Sequence, residues 1–133
     1  MKISQQVKDL FNRTALVAFG TSDKTNTPNV NVVFWKKIID DETIILLDNF
    51  FKTTKQNVIE NRKVCLSFWD SKTEEGYKIK GDAIYYSNGK IFNLGKQFIQ
   101  QKNPGRTPKG VVEIKVTNVY FLTPGKDAGK ILC

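Results

Sequence analysis

Three apolar runs, Thr14 to Thr21, Val30 to Trp35 and Thr43 to Leu47, fall within the first 47 residues. Between them stand only the turn-rich stretch S-D-K-T-N-T-P and a turn at Asp40 and Asp41. Neither connection can hold the dozen or so residues that a parallel crossover requires. The chain is thereby confined to a mainly antiparallel sheet, with the first two runs forming a hairpin. A second hairpin is predicted from Val64 to Trp69 and Tyr77 to Tyr86 around the polar loop D-S-K-T-E-E-G. Gly81, inside its second arm, marks a bulge or a close backbone approach. A last strand runs from about Val111 to Leu122. Five or six strands on short loops describe a closed or nearly closed small barrel, a mainly β fold of one domain spanning residues 1–133.

Three helices are expected around it. Ile3, Val7, Leu10 and Phe11 make one amphipathic stripe, with Ser4 placed as an N-cap and an end near Asn12. K-T-T-K-Q-N-V-I-E-N, with Val58 and Ile59 apolar, reads as a short helix that Thr53 or Thr54 can cap. Ile91, Leu94 and Phe98 mark a third, followed by the two-proline loop N-P-G-R-T-P-K.

Composition narrows the chemistry. The chain has no histidine, which removes the commonest general base and the commonest metal ligand. No hydrolytic triad, catalytic side chain or metal site is therefore assigned. Cys65 sits in an apolar run and Cys133 is the last residue, so both are read as thiols. No apolar run approaches the roughly 20 residues that cross a bilayer, and Met1 to Lys8 is polar, so a cytoplasmic protein without a membrane partner is expected. The net charge of +8 favours phosphorylated ligands, nucleic acid or acidic partners without choosing among them.

The segment richest in chemistry is Leu46 to Asn57, L-L-D-N-F-F-K-T-T-K-Q-N. A buried strand ends there in Asp48 and Asn49, and a helix opens at Thr53 and Thr54 between Lys52 and Lys55. Unpaired amides at a helix start, beside the positive end of its dipole, suit a phosphate. A threonine before a helix is more often only a cap, and a surface lysine only solvated. Phe34, Trp35, Phe50, Phe51, Trp69 and Tyr77 lie near strand ends, where rings could stack on a planar ligand, although core or interface is the commoner fate. Lys102, Arg106 and Lys109 share a loop that could meet an anion or a neighbouring subunit, the alternative being a solvated connector.

Taken together, T-P-N-V-N-V-V (27–33), L-D-N-F (47–50), E-N-R-K-V-C-L-S-F-W-D (60–70), G-Y-K-I-K-G-D-A (76–83) and the tail V-Y-F-L-T-P-G-K-D-A-G-K-I (119–131) resemble the pyridoxamine 5'-phosphate oxidase-like family of FMN-binding split barrels. The resemblance implies an antiparallel, Greek-key-type split barrel that binds FMN. It places main chain of Val32, Val33 and Phe34, and of Asp48 and Asn49, against the flavin, with the phosphate at Lys52, Thr53 and Thr54. Many relatives carry Lys-Thr where this chain has Thr53 and Thr54, so the lysine is displaced to Lys52, and Lys52 or Lys55 would take its role. The resemblance further implies a homodimer with each flavin between subunits, the partner contributing from the strand near Trp69 or the loop around Arg106. Family members that oxidise pyridoxamine phosphate have a further C-terminal segment with basic residues and a histidine, so that activity is not expected. The expected role is an oxidoreductase or electron carrier using FMN with a small-molecule electron donor or acceptor. Two rivals remain: a flavin-free barrel that binds nucleic acid, disfavoured because the basic residues are dispersed, and a non-catalytic flavin or deazaflavin module.

Overall fold

The computed structural model describes residues 3–132, so Cys133 lies outside the described residues. In chain order the elements are α1 (Gln5–Arg13), β1 (Val17–Ser22), β2 (Pro28–Val33), β3 (Lys36–Asp40), β4 (Thr43–Asp48), α2 (Thr53–Glu60), β5 (Lys63–Trp69), β6 (Gly76–Tyr86), α3 (Gly89–Lys102) and β7 (Gly110–Phe121). All seven strands form one antiparallel sheet in the order β2-β1-β5-β6-β7-β4-β3. Strands β5, β6 and β7 lie side by side, and β4, joined to β5 through α2, lies beside β7, which is a Greek-key arrangement.

The sheet's two outermost strands, β2 and β3, are consecutive in sequence, with only Phe34 and Trp35 between them. Three peptide steps reach at most about 11 Å, so the sheet has to curl until its edges nearly meet. The result is the expected barrel, split along one seam. One more strand is present than the sequence indicated. Lys36–Asp40 follows Val30–Trp35 without a glycine or proline to mark a break, yet it pairs with β4 at the far edge.

Two apolar clusters hold the barrel. The interior holds Val7, Leu10 and Phe11 of α1 with Phe19, Ile44, Leu46, Phe68, Ile79 and Ile114 of the strands. Ile45, Leu47 and Val111 face outward instead and are covered by Ile99 of α3. This is why β4 is buried at all six positions and shows no alternation. Cys65, on β5, is a half-buried free thiol.

Neither expected side-chain cap forms. Ser4 occupies the N-cap of α1 and makes no capping bond, and the N-cap of α2 is Lys52, one residue before Thr53. Gly81 fulfils its expected role: the β6–β7 register shifts between Lys80 and Gly81, and a Cβ there would stand 2.5 Å from the Lys115 carbonyl oxygen and 2.7 Å from Ile114 Cγ2. Gly81→Ala is expected to cost about 1–3 kcal/mol through overpacking, read as a lowered denaturation midpoint with the m-value unchanged.

Candidate functional site

The end of β4 is the anchor. Asp48 is fully buried, and its Oδ1 accepts the Phe51 amide at 2.7 Å, shaping the turn that leads into α2. Its Oδ2 accepts the Tyr85 hydroxyl from β6 at 2.5 Å, and its carbonyl accepts the Lys109 amide at 2.8 Å. Asp48 thus joins β4 to the turn before α2 and to β6 through its carboxylate, and to the loop before β7 through its main-chain carbonyl. Burial, and then the hydrogen bond to Asp48, push the Tyr85 phenol well above its ordinary value, so it stays a donor at physiological pH. Lys55 of α2 lies over the Tyr85 ring, 5.0 Å from its centroid.

Opposite this anchor, the inner face of α2 meets β1 and β2 through side-chain amides and hydroxyls. Thr54 Oγ1 accepts Nδ2–H of Asn29 at 3.0 Å and of Asn31 at 3.1 Å. Thr21 Oγ1 accepts Nδ2–H of Asn57 at 3.0 Å and of Asn29 at 3.2 Å. β2 therefore turns its asparagines toward α2, and Val30, Val32 and Phe34 remain 68%, 60% and 54% exposed. An alternating V-N-V pattern would ordinarily bury the valines. Here the asparagines find partners inside, and the apolar side chains form an outer stripe.

Between these two attachments the first turn of α2 is open. Its N-cap makes no side-chain bond, so the leading amides of Thr53, Thr54 and Lys55 have no threonine cap. Lys52, Thr53 and Lys55 are exposed around that turn, whereas Thr54 is buried. Phe50 stands 79% exposed at the turn, with the Arg106 guanidinium 5.9 Å from its ring centroid.

The structure thus gathers Asp48, Asn49, Lys52, Thr53, Thr54 and Arg106 around one corner, and Thr54 ties that corner to Asn31, next to Val32 on β2. Val33 points into the barrel core. Phe34 packs against Trp35, ring centroids 5.3 Å apart, and lines a separate cavity with it. The hydroxyl of Thr54, expected to face a phosphate, is committed to the asparagines. Of the aromatic candidates, Phe51 and Tyr77 are core residues, Trp35 is half-buried against Phe98, and Trp69 is 58% exposed. Tyr85, Asn29 and Asn31 complete the corner. The asparagines could have been suspected from their alternation with valines, but Tyr85 carries no local signal.

The chain matches the family model described as pyridoxamine 5'-phosphate oxidase over residues 3–123. It is 35% identical over 130 residues to an uncharacterized protein of Methanocaldococcus jannaschii, covering 96% of this chain and 85% of that protein. It is similar to the crystal structure of HupZ from group A Streptococcus, with a TM-score of 0.83 and 31% identity, covering 96% of this chain and 99% of that one. The fold is shared with an FMN-binding protein from Syntrophomonas wolfei, with a TM-score of 0.75 and 16% identity over 88% of this chain and 83% of that one.

Thr54→Val removes the acceptor of both asparagine amides while preserving shape. It is expected to destabilise the fold by about 1–3 kcal/mol in chemical denaturation, and Thr54→Ser is expected to recover most of the loss.

Proposed function

The chain belongs to the pyridoxamine 5'-phosphate oxidase family, and from that premise we propose that it is a flavoprotein which holds FMN with the phosphate against the first turn of α2. The observation that carries this reading is the uncapped helix start, flanked by exposed Lys52, Thr53 and Lys55. Amides of Thr53, Thr54 and Lys55 are available to a terminal phosphate, and the two ammonium groups add charge-assisted bonds. The displacement of the lysine to Lys52 leaves it at the N-cap, still within the turn the phosphate would meet. Thr54 contributes its amide, and its hydroxyl steadies the helix on β2.

The ring and ribityl chain would follow main chain at Asp48, Asn49 and Val32 to Phe34, beside the exposed apolar surface of Val32, Phe34 and Phe50. Arg106 supplies positive charge at the Phe50 edge. When bound, FMN supplies hydride or electron transfer, and the protein's part is to orient it and to set the charge around it. No side chain has to act as a nucleophile. Such a protein serves as an oxidoreductase or electron carrier toward a small-molecule donor or acceptor.

A homodimer belongs to the same proposal. Val30, Val32, Phe34 and Trp69 are all more than half exposed, and a second copy of the chain would cover them and close the flavin groove. Among the described residues no helix is long and apolar enough to cross a membrane.

Purified protein is expected to be yellow or to take up added FMN, and to sediment as a dimer. Lys52→Glu with Lys55→Glu is expected to weaken FMN binding by at least about tenfold without lowering the denaturation midpoint, because both side chains are exposed. A colourless protein that binds no FMN at about 100 µM would contradict the assignment. Val32→Asp is expected to yield monomers and to weaken FMN binding with them.

A further inference from the structure

Tyr85 and Asp48 stand on strands that are not neighbours in the sheet. In the order β6-β7-β4 the width of β7 separates them, with Tyr85 opposite Val112 and Asp48 opposite Gly110. The phenol nevertheless reaches the carboxylate, its hydroxyl donating to Asp48 Oδ2 at 2.5 Å. Gly110 makes that crossing possible, because a Cβ there would lie 2.1 Å from the Tyr85 hydroxyl oxygen and 2.2 Å from its Cζ. Three strands thus each give one residue to a single contact: a tyrosine, a gap and a carboxylate.

The carboxylate needs the phenol. Asp48 is fully buried, and among the described residues no lysine or arginine pairs with it. Its oxygens are satisfied by two different donors, the Tyr85 hydroxyl on Oδ2 and the Phe51 amide on Oδ1. A buried carboxylate without a counter-ion depends on such donors. Without the phenol it would be left half satisfied, and its grip on the Phe51 amide would loosen. Phe51 immediately precedes Lys52, the N-cap of α2, so that grip sets the direction in which the opening amides of the helix point.

The same side chain meets the helix a second time. Lys55 Nζ lies 5.0 Å from the centroid of the Tyr85 ring. Lys55 is exposed, and a lysine in water samples many rotamers, whereas an aromatic face gives its ammonium group a preferred place. A hydroxyl donor alone would satisfy the carboxylate. The ring beneath Lys55 adds nothing to that, and bears instead on the charge at the first turn.

We propose that Tyr85 is a positioning residue for the phosphate of FMN, orienting the opening amides of α2 through Asp48 and the Lys55 ammonium group through its ring. The role requires no contact between Tyr85 and the flavin. It rests on the FMN reading above and extends it to a residue that belongs to no motif.

Titrations of FMN and of riboflavin, which lacks the phosphate, into the flavin-free full chain test this by flavin fluorescence. Tyr85→Phe deletes the hydroxyl and keeps the ring, so FMN affinity is expected to fall at least about fivefold while riboflavin affinity changes less than about twofold. Tyr85→Leu removes the ring as well, and the FMN loss should reach at least about 20-fold. Lys55→Gln should weaken FMN binding at least about threefold in the unsubstituted chain and less than about 1.5-fold beside Tyr85→Leu, the non-additivity expected of groups that act together. If Tyr85→Leu folds poorly, Tyr85→Phe decides alone, since it removes one oxygen from a half-buried side chain. A merely structural role would lower the denaturation midpoint and leave the ratio of FMN to riboflavin affinity unchanged. That result would overturn the proposal while FMN binding itself stood. An unsubstituted chain that binds no FMN would overturn this inference and the flavin reading together.

Discussion

Two residues, Phe34 and Trp35, join the opposite edges of a seven-stranded sheet, and that short covalent link compels the sheet to curl. Curling brings the inner faces of β1, β4, β5, β6 and β7 around the α1 side chains, so one apolar core forms where an open sheet would leave a face wet. It also creates the seam at which the edge strands part. Trp35 is held to the β4 side by its carbonyl, which accepts the Leu47 amide at 2.9 Å, and by its ring against Phe98. The cavity lined by Phe34 and Trp35 lies at this link, and the apolar outer stripe of β2 runs up to it.

The corner at the end of β4 depends on polar contacts that reach across the barrel. Asp48 fixes the turn into α2 from one side, and Thr54 with Asn29 and Asn31 fixes α2 on β2 from the other. Neither attachment supplies a side-chain cap to α2, and Lys52, Thr53 and Lys55 are exposed around its first turn while Thr54 is buried. Buried charges and amides are tolerated when each finds a partner, and here Asp48, Thr54 and the asparagines all do.

Much of this was legible in the sequence. Short polar loops gave the antiparallel sheet, the spacing of Val7, Leu10 and Phe11 gave α1, and Gly81 announced the β6–β7 irregularity. The extra strand β3 was hidden because Lys36 and Lys37 follow Trp35 with no turn residue, and only the far-edge pairing with β4 separates it from β2. The inverted facing of β2 was hidden for a related reason: alternation tells which residues share a face, whereas Thr54, more than twenty positions away, decides which face is inside. At the candidate site the L-D-N-F-F-K-T-T-K segment was readable as a strand entering a helix. The partnership of Asp48 with Tyr85 was not, since it joins residues 37 positions apart. The contact of Arg106 with the Phe50 ring was not readable either, since it joins two loops far apart in the chain.

Whether the first turn of α2 receives a phosphate decides the flavin assignment. Comparing the affinities of FMN and riboflavin for the same flavin-free protein isolates that group, because the two ligands share the ring and ribityl chain and differ only at the terminus. FMN is expected to bind at least about 100-fold more tightly, a difference of about 2.7 kcal/mol, and the gap should narrow as salt rises. Equal affinities, with no dependence on salt, would contradict it.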